Sequence, residues 1–82
     1  MSDPKPLIMD FLERELGVDT APLDGDTPLV SDGIIDSFSL MSLVTFVEER
    51  FRLRVGMLDI NLANFDSLNR MERYIAGAAG RG

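Results

Sequence analysis

The chain of 82 residues contains no cysteine and no histidine. Without cysteine, neither a disulfide framework nor a thiolate metal site is possible. Without histidine, the chain lacks the most common general base and the most common metal ligand of proteins. A nucleophilic serine needs an adjacent base, and the single lysine, Lys5, lies near the N-terminus. We therefore expect no catalytic residue and no metal site, and a small serine hydrolase is the least favoured reading.

Long apolar runs are also missing, and basic residues are scarce in the first part of the chain. No apolar run is long enough to span a bilayer, and the N-terminus lacks the pattern of a signal peptide. Residues 1–49 carry 11 acidic and 2 basic side chains, whereas residues 50–82 carry 3 acidic and 6 basic ones. An acidic surface repels nucleic acid and anionic membranes and attracts basic partners, although it also serves solubility alone. We expect a cytoplasmic monomer that binds neither nucleic acid nor membrane.

Apolar spacing and helix-stop signals predict an all-α fold. A first helix is expected over residues 4–16, capped by Asp3 and stopped by Gly17, and a second from Asp36-Ser37 to about Phe51. An extended connector and a short helical turn within residues 58–64 follow, and Asp66 or Ser67 caps the last helix. The sequence thus predicts one domain over residues 1–82, ordered over about residues 4–77 with a flexible tail. Its architecture is a small four-helix bundle with three main helices and one short helix.

The segment between the first two helices is a long loop, residues 18–36, which is unusual in so small a domain. Apolar side chains spaced along it are predicted to pin it onto the core. They are Val18, Leu23, Leu29, Val30, Ile34 and Ile35.

The second helix is predicted to have two apolar faces. A helical rotation of 100° per residue places five side chains on a core stripe: Leu40, Leu43, Val44, Val47 and Phe51. Phe38 and Met41 fall outside this stripe, on the side of Ser37. They form either an outward strip that contacts partners or a contact with the underside of the long loop.

Ser37 lies at the start of this helix, where the helix dipole favours an attached phosphodiester. Helix caps are far more common than modification sites, so Asp36-Ser37 taken alone indicates no more than a cap.

The wider pattern resembles the acyl and peptidyl carrier proteins. The similar segments are Thr27-Pro28-Leu29, residues 32–38, the Leu40-Leu43-Val44 spacing, Glu48-Glu49-Arg50-Phe51 and residues 64–68, within a match over about residues 5–76. The resemblance implies that a phosphopantetheinyl transferase joins 4′-phosphopantetheine from coenzyme A to the Ser37 hydroxyl. It implies that Asp36 takes part in transferase recognition and in orienting magnesium and phosphate. The thiol of the arm then carries acyl or aminoacyl groups as thioesters, without catalysis by the carrier.

The departures from the family pattern concern the surface for partner enzymes. Phe38 stands where leucine is usual, and Ser39 and Ser42 stand where fatty acid synthase carriers often have acids. We predict partner contacts at Ile35, Phe38, Met41 and Ser42, made by a loading ligase or acyltransferase and by downstream biosynthetic enzymes. A specialised polyketide or nonribosomal peptide pathway is expected, with a D-alanyl or fatty-acid-type carrier as the alternative. A helical interaction module without a prosthetic group is the other alternative.

Overall fold

The computed structural model describes residues 3–80 of the chain. Within this range the chain forms four α-helices and one 3₁₀ turn, and no strand. The helices are α1, Pro4–Glu15; α2, Ser37–Phe51; α3, Leu62–Phe65; and α4, Leu68–Gly80, with the 3₁₀ turn at Met57–Asp59. Helix α1 packs against α2 and α4, and α3 packs against α4. The predicted all-α bundle is confirmed.

The helix ends follow from capping residues that the sequence displays. The Asp3 carboxylate accepts the Lys5 N–H at 3.0 Å at the start of α1. The Ser67 hydroxyl accepts the Arg70 N–H at 3.2 Å in the first turn of α4, so Ser67 caps this helix and Asp66 does not. Helix α4 continues through Gly80, three residues beyond the predicted limit of order, and the rest of the predicted tail, residues 81 and 82, lies outside the described residues.

The connector after α2 begins with an unusual backbone conformation. Arg52 has a φ of 53° and a ψ of 52°, in the left-handed region that normally favours glycine, and its N–H donates to the Glu48 carbonyl. The Glu48 carboxylate also accepts the Val55 N–H at 2.9 Å. Glu48 therefore fixes the chain reversal that follows α2. None of the helices within residues 3–80 has both the length and the apolar character needed to cross a bilayer.

The core is a single cluster of apolar side chains from all four helices and the long loop. Leu43, Val44 and Val47 of α2 are buried, whereas Leu40 and Phe51 pack against the cluster partly exposed. Phe46, which lies outside the predicted core stripe, stacks on Phe11 of α1 at a ring-centroid separation of 4.5 Å. The other buried members are Ile8, Leu12, Leu29, Ile35, Phe65, Leu68, Met71 and Ile75.

The long loop packs onto the core as predicted. Leu29 and Ile35 are buried, and the other four apolar residues of the predicted set are partly buried against the cluster. Gly33, with a φ of 73°, adopts a left-handed turn between these two anchors, and its N–H donates to the Val30 carbonyl. The loop is thus part of the folded structure rather than a tether.

A buried carboxylate at the start of α4 holds the second half of the loop. The side chain of Asp66 accepts hydrogen bonds from the Val30 N–H at 2.8 Å and the Ser31 N–H at 2.9 Å. It also accepts one from the Ser31 hydroxyl at 2.6 Å. The Asp66 carbonyl accepts the Leu29 N–H, also at 2.6 Å. These four bonds join segments that lie about 35 residues apart in the sequence.

Asn69, the second residue of α4, holds the first half of the loop. Its backbone N–H donates to the Gly25 carbonyl at 2.9 Å, and its side-chain amide donates to the Asp26 carboxylate at 2.8 Å. The contact is close, because a Cβ at Gly25 would lie 2.6 Å from the Asn69 amide. The N-terminal end of α4 therefore fastens the loop at two points.

The first prediction tests the two faces of α2. Leu43→Ala should lower the free energy of unfolding by about 2–5 kcal/mol, because it leaves a cavity in the core. Met41→Ala, at a half-exposed position of the same helix, should change it by about 0.5 kcal/mol. Urea unfolding followed by circular dichroism measures both, and an equal loss in the two variants would contradict the assignment of faces.

The second prediction concerns the Asp66 carboxylate. Asp66→Ala should lower the free energy of unfolding by about 1–3 kcal/mol, because two backbone N–H groups and a hydroxyl lose their acceptor. Amide exchange at Val30 and Ser31 should accelerate relative to that of the helices. Asp32→Ala, which removes an exposed acid from the same loop, is the matched control and should leave both quantities unchanged.

The Asp66 contribution should also depend on pH. Burial raises the pKa of Asp66. Hydrogen bonds from the Ser31 hydroxyl and from the Ser31 and Val30 N–H groups lower it, as does the charge of Arg70. The net effect is a pKa below the ordinary 3.8. The stabilisation is therefore complete above pH 3.8 and lost as the pH falls through the lower folded-state pKa. The stability difference between the native chain and Asp66→Ala should shrink in that acid range, and a constant difference would contradict this account.

Candidate functional site

The candidate site is the junction between the long loop and α2. Ile35 is buried, and its N–H donates to the Leu29 carbonyl at 3.0 Å, so the loop is anchored two residues before Ser37. Asp36 then caps α2, and its carboxylate accepts the Ser39 N–H at 2.8 Å. Ser37 is the first residue of the helix and is exposed. The loop anchors thus present Ser37 to solvent from a fixed backbone.

The Ser37 hydroxyl has no activating base in the part of the chain that the structure describes. No side-chain hydrogen bond within residues 3–80 uses this hydroxyl, and the neighbouring Asp36 carboxylate is directed at the Ser39 N–H in the first turn. Within residues 3–80, no group is therefore placed to activate Ser37 as a nucleophile.

The electrostatics around Ser37 combine a helix N-terminus with a stable negative charge. The 15-residue helix α2 places the positive end of its dipole at Ser37. The Ser39 N–H, with the Ser39 hydroxyl and the Phe38 N–H, lowers the pKa of Asp36 below its ordinary 3.8, so this carboxylate is ionised at neutral pH. A phosphodiester on Ser37 would lie at the favourable helix end, beside an acid that a basic partner can recognise.

The surface next to Ser37 carries two of the apolar side chains predicted to face outward. Phe38 is 85% exposed and Met41 is 50% exposed, so neither is covered by the long loop. Ser42 is also exposed, and the three residues share one face of α2 because they are spaced by three and four positions. We call Phe38, Met41 and Ser42 the α2 strip.

Ile35 does not belong to this surface. Its side chain is only 3% exposed and lies in the core cluster, so the prediction that it contacts partners is wrong. The physical reason is that the loop needs an apolar anchor immediately before the helix, and Ile35 supplies it. An apolar residue next to a modification site is thus equally suited to anchoring and to docking, and the sequence does not distinguish these roles.

Two further features of the structure were not predicted from the sequence. Asp66 was predicted as a possible helix cap. In the structure it instead accepts hydrogen bonds from residues 29–31 of the loop. Met57, Leu58 and Leu62 are exposed, at 88%, 92% and 48%. The one feature of the sequence that indicates this exposure is the position of Met57 and Leu58 between Gly56 and Asp59.

The geometry agrees with what comparison with known proteins finds. Residues 6–75 match the family described as the phosphopantetheine attachment site. A probable acyl carrier protein, PigG, from Serratia sp. (strain ATCC 39006) is 37% identical over 49 residues, which cover 60% of this chain and 56% of that protein. A D-alanyl carrier protein from Bacillus mycoides (strain KBAB4) is 31% identical over 61 residues, or 74% of this chain and 77% of that protein.

The match to the Serratia protein therefore spans little more than half of that relative's length, whereas the family match covers most of the present chain. The members of this family carry 4′-phosphopantetheine as a covalently attached group. The exposed serine at a helix N-terminus, the loop that fixes it and the similarity over residues 6–75 lead to one conclusion: the chain belongs to the phosphopantetheine-attachment family and is a carrier protein.

Proposed function

We propose that Ser37 is the residue to which 4′-phosphopantetheine is attached. The observation that carries the proposal is the exposed Ser37 hydroxyl, which has no hydrogen-bond partner within residues 3–80 and lies at the N-terminus of α2 beside ionised Asp36. A hydroxyl in this setting is accessible to a transferase and needs to break no intramolecular bond before it reacts. The arm supplies the thiol that the chain itself lacks.

The other described serines support this choice by their surroundings. The Ser31 hydroxyl donates to Asp66, and Ser67 is buried with its hydroxyl accepting the Arg70 N–H. Ser39 is partly buried in the first turn of α2. Ser42 is exposed, but it lies more than a turn into the helix, away from the N-terminal end where the dipole favours a phosphodiester.

We propose that the loaded chain acts as a carrier and not as an enzyme. Acyl or aminoacyl groups are held as thioesters at the tip of the arm and are presented to partner enzymes. Asp36 contributes to recognition by a phosphopantetheinyl transferase, because a fixed negative charge next to the reacting hydroxyl attracts a basic surface. The α2 strip then contacts the loading ligase or acyltransferase and the enzymes that follow.

The pathway that we propose is a specialised one, of the polyketide or nonribosomal peptide type. The α2 strip supports this, because Phe38 and Met41 present an apolar surface and Ser42 adds no charge. Such a surface distinguishes between partner enzymes by shape and apolar contact more than by charge. The similarity to a D-alanyl carrier protein favours an aminoacyl cargo as the second candidate.

The third prediction tests the attachment site. Incubation with coenzyme A and a broad-specificity phosphopantetheinyl transferase should add one phosphopantetheine to the native chain, as measured by intact-protein mass spectrometry. Ser37→Ala should abolish the addition. Ser42→Ala, which removes another exposed hydroxyl from the same helix, is the matched control and should be modified like the native chain.

Modification of Ser37→Ala, or the absence of any mass increase with several transferases, would contradict this proposal. A function that survives Ser37→Ala in the producing organism would instead favour the interaction module without a prosthetic group.

The fourth prediction concerns the α2 strip. Met41→Ala and Phe38→Ala should keep the thermal midpoint of the native chain and accept the arm, because both side chains are exposed. They should slow transfer of the cargo to the partner enzymes, as measured by the rate of acyl transfer from the loaded carrier. Complementation by the native chain of a strain lacking its fatty acid carrier, with full efficiency, would contradict the assignment to a specialised pathway.

A further inference from the structure

The two fastenings that hold the long loop to the start of α4 differ in their path to Ser37. Asn69 binds the loop at residues 25 and 26, in its first half. Asp66 binds it at residues 29–31, in the half that leads directly into α2. A change at the Asp66 fastening therefore reaches Ser37 along a shorter stretch of chain than a change at Asn69.

The stretch of chain between the Asp66 fastening and α2 is closed on itself. The Ile35 N–H donates to the Leu29 carbonyl at 3.0 Å, so the two ends of residues 29–35 are joined to each other. Between them, the Gly33 N–H donates to the Val30 carbonyl, also at 3.0 Å. Both end side chains are buried, at 0% and 3% exposure. We call residues 29–35 the closed segment; because its ends are joined, displacement of one end is passed to the other.

The side chain of Asp66 supplies the closed segment with polar contacts that its apolar anchors cannot replace. Its carboxylate accepts the Val30 and Ser31 N–H groups and the Ser31 hydroxyl. These donors lie in irregular structure, so without the carboxylate they lose their acceptor and the segment gains access to other conformations. The far end of the segment leads into α2, so this freedom extends to the serine that we propose to be modified.

We propose that Asp66 is a positioning residue for the attachment of 4′-phosphopantetheine to Ser37. Asp66 forms no hydrogen bond with Ser37 within residues 3–80, so it acts through the closed segment. This inference rests on the proposed attachment site and deepens it. The transferase recognises the ordered junction of loop and helix, and its apparent affinity falls with the fraction of chains in which that junction is ordered.

The chemistry of the transfer separates this role from catalysis. The Ser37 oxygen bonds to the phosphorus of the phosphopantetheinyl group, and the pyrophosphate bond of coenzyme A breaks. Adenosine 3′,5′-bisphosphate leaves with the bonding electron pair, and a base of the transferase takes the hydroxyl proton. Asp66 contacts none of these atoms. Loss of its side chain should therefore raise the KM of the transferase for this chain and leave kcat unchanged.

The test follows arm attachment by intact-protein mass spectrometry over a range of carrier concentrations, with saturating coenzyme A and a broad-specificity transferase. Asp66→Ala should raise KM about tenfold, because ordering a single backbone residue on binding already costs about that factor. Asp66→Asn should keep a KM near the native value, because its amide oxygen accepts both N–H groups and its nitrogen donates to the Ser31 hydroxyl. Asn69→Ala, which removes the bond to Asp26 at the other fastening, is the matched control and should keep the native KM.

A second measurement does not depend on the transferase. Amide hydrogen exchange at Gly33 and Ile35 should accelerate in Asp66→Ala and stay at the native rate in Asn69→Ala, because these two N–H groups close the segment. All rates are compared at a temperature at which circular dichroism shows each variant folded. If Asp66→Ala does not fold, Ser31→Ala, which removes one bond to the carboxylate, should raise KM about threefold.

A native KM in Asp66→Ala, an equal rise in Asn69→Ala or in Asp66→Asn, or a fall in kcat alone would overturn the proposal. Unchanged exchange at Gly33 and Ile35 would do the same. These results leave the attachment site untouched as long as the native chain accepts the arm and Ser37→Ala does not. Failure of the native chain to accept the arm would instead overturn the attachment site and this inference together.

Discussion

The arrangement of the loop depends on the hydrogen bonds that the buried Asp66 carboxylate accepts. It accepts three hydrogen bonds from residues 30 and 31, and its carbonyl accepts a fourth from Leu29. A buried charge is costly unless donors surround it, so the loop and Asp66 stabilise each other only when both are in place. The Leu29 carbonyl then accepts the Ile35 N–H, which ties the start of α2 to the same point.

These contacts explain how so small a bundle presents the Ser37 hydroxyl at a defined place. Ser37 lies two residues beyond a buried anchor and one beyond a helix cap, so its backbone is fixed while its side chain stays in solvent. The chain thus provides a fixed position and an electrostatic setting for this hydroxyl. Such an arrangement suits a carrier protein, which holds a covalently attached group.

The large apolar residues that are exposed in the described part of the chain fall in two stretches of the sequence, the α2 strip and residues 57–62. The α2 strip lies near the ionised Asp36 at the start of α2, whereas Arg54 lies beyond the end of that helix, whose 15 residues span about 22 Å.

The three main helices, the caps of α1 and α2 and the centre of the α2 core stripe could be predicted from the sequence, because they depend on residues within a few positions of one another. Asp36 was predicted as a cap from its residue type, and Leu43 and Val47 were predicted as core residues from their spacing. Spacing placed Phe38 outside the core stripe but left open whether the loop covers it, and the structure shows it exposed. The caps and the core stripe are local properties of a helix with 3.6 residues per turn. The prediction of Ser37 instead came from the family pattern, which runs along most of the chain.

Which residues of the long loop and of the connector face inward could not be predicted from the sequence and is seen in the folded chain alone. Ile35 is an anchor and not a partner contact, Asp66 binds residues 35 and 36 positions away, and Met57-Leu58 points to solvent between two anchored neighbours. Irregular segments have no periodicity to show which side is buried, and their hydrogen bonds join residues distant in sequence. Their orientation is therefore set by the packing of the whole bundle.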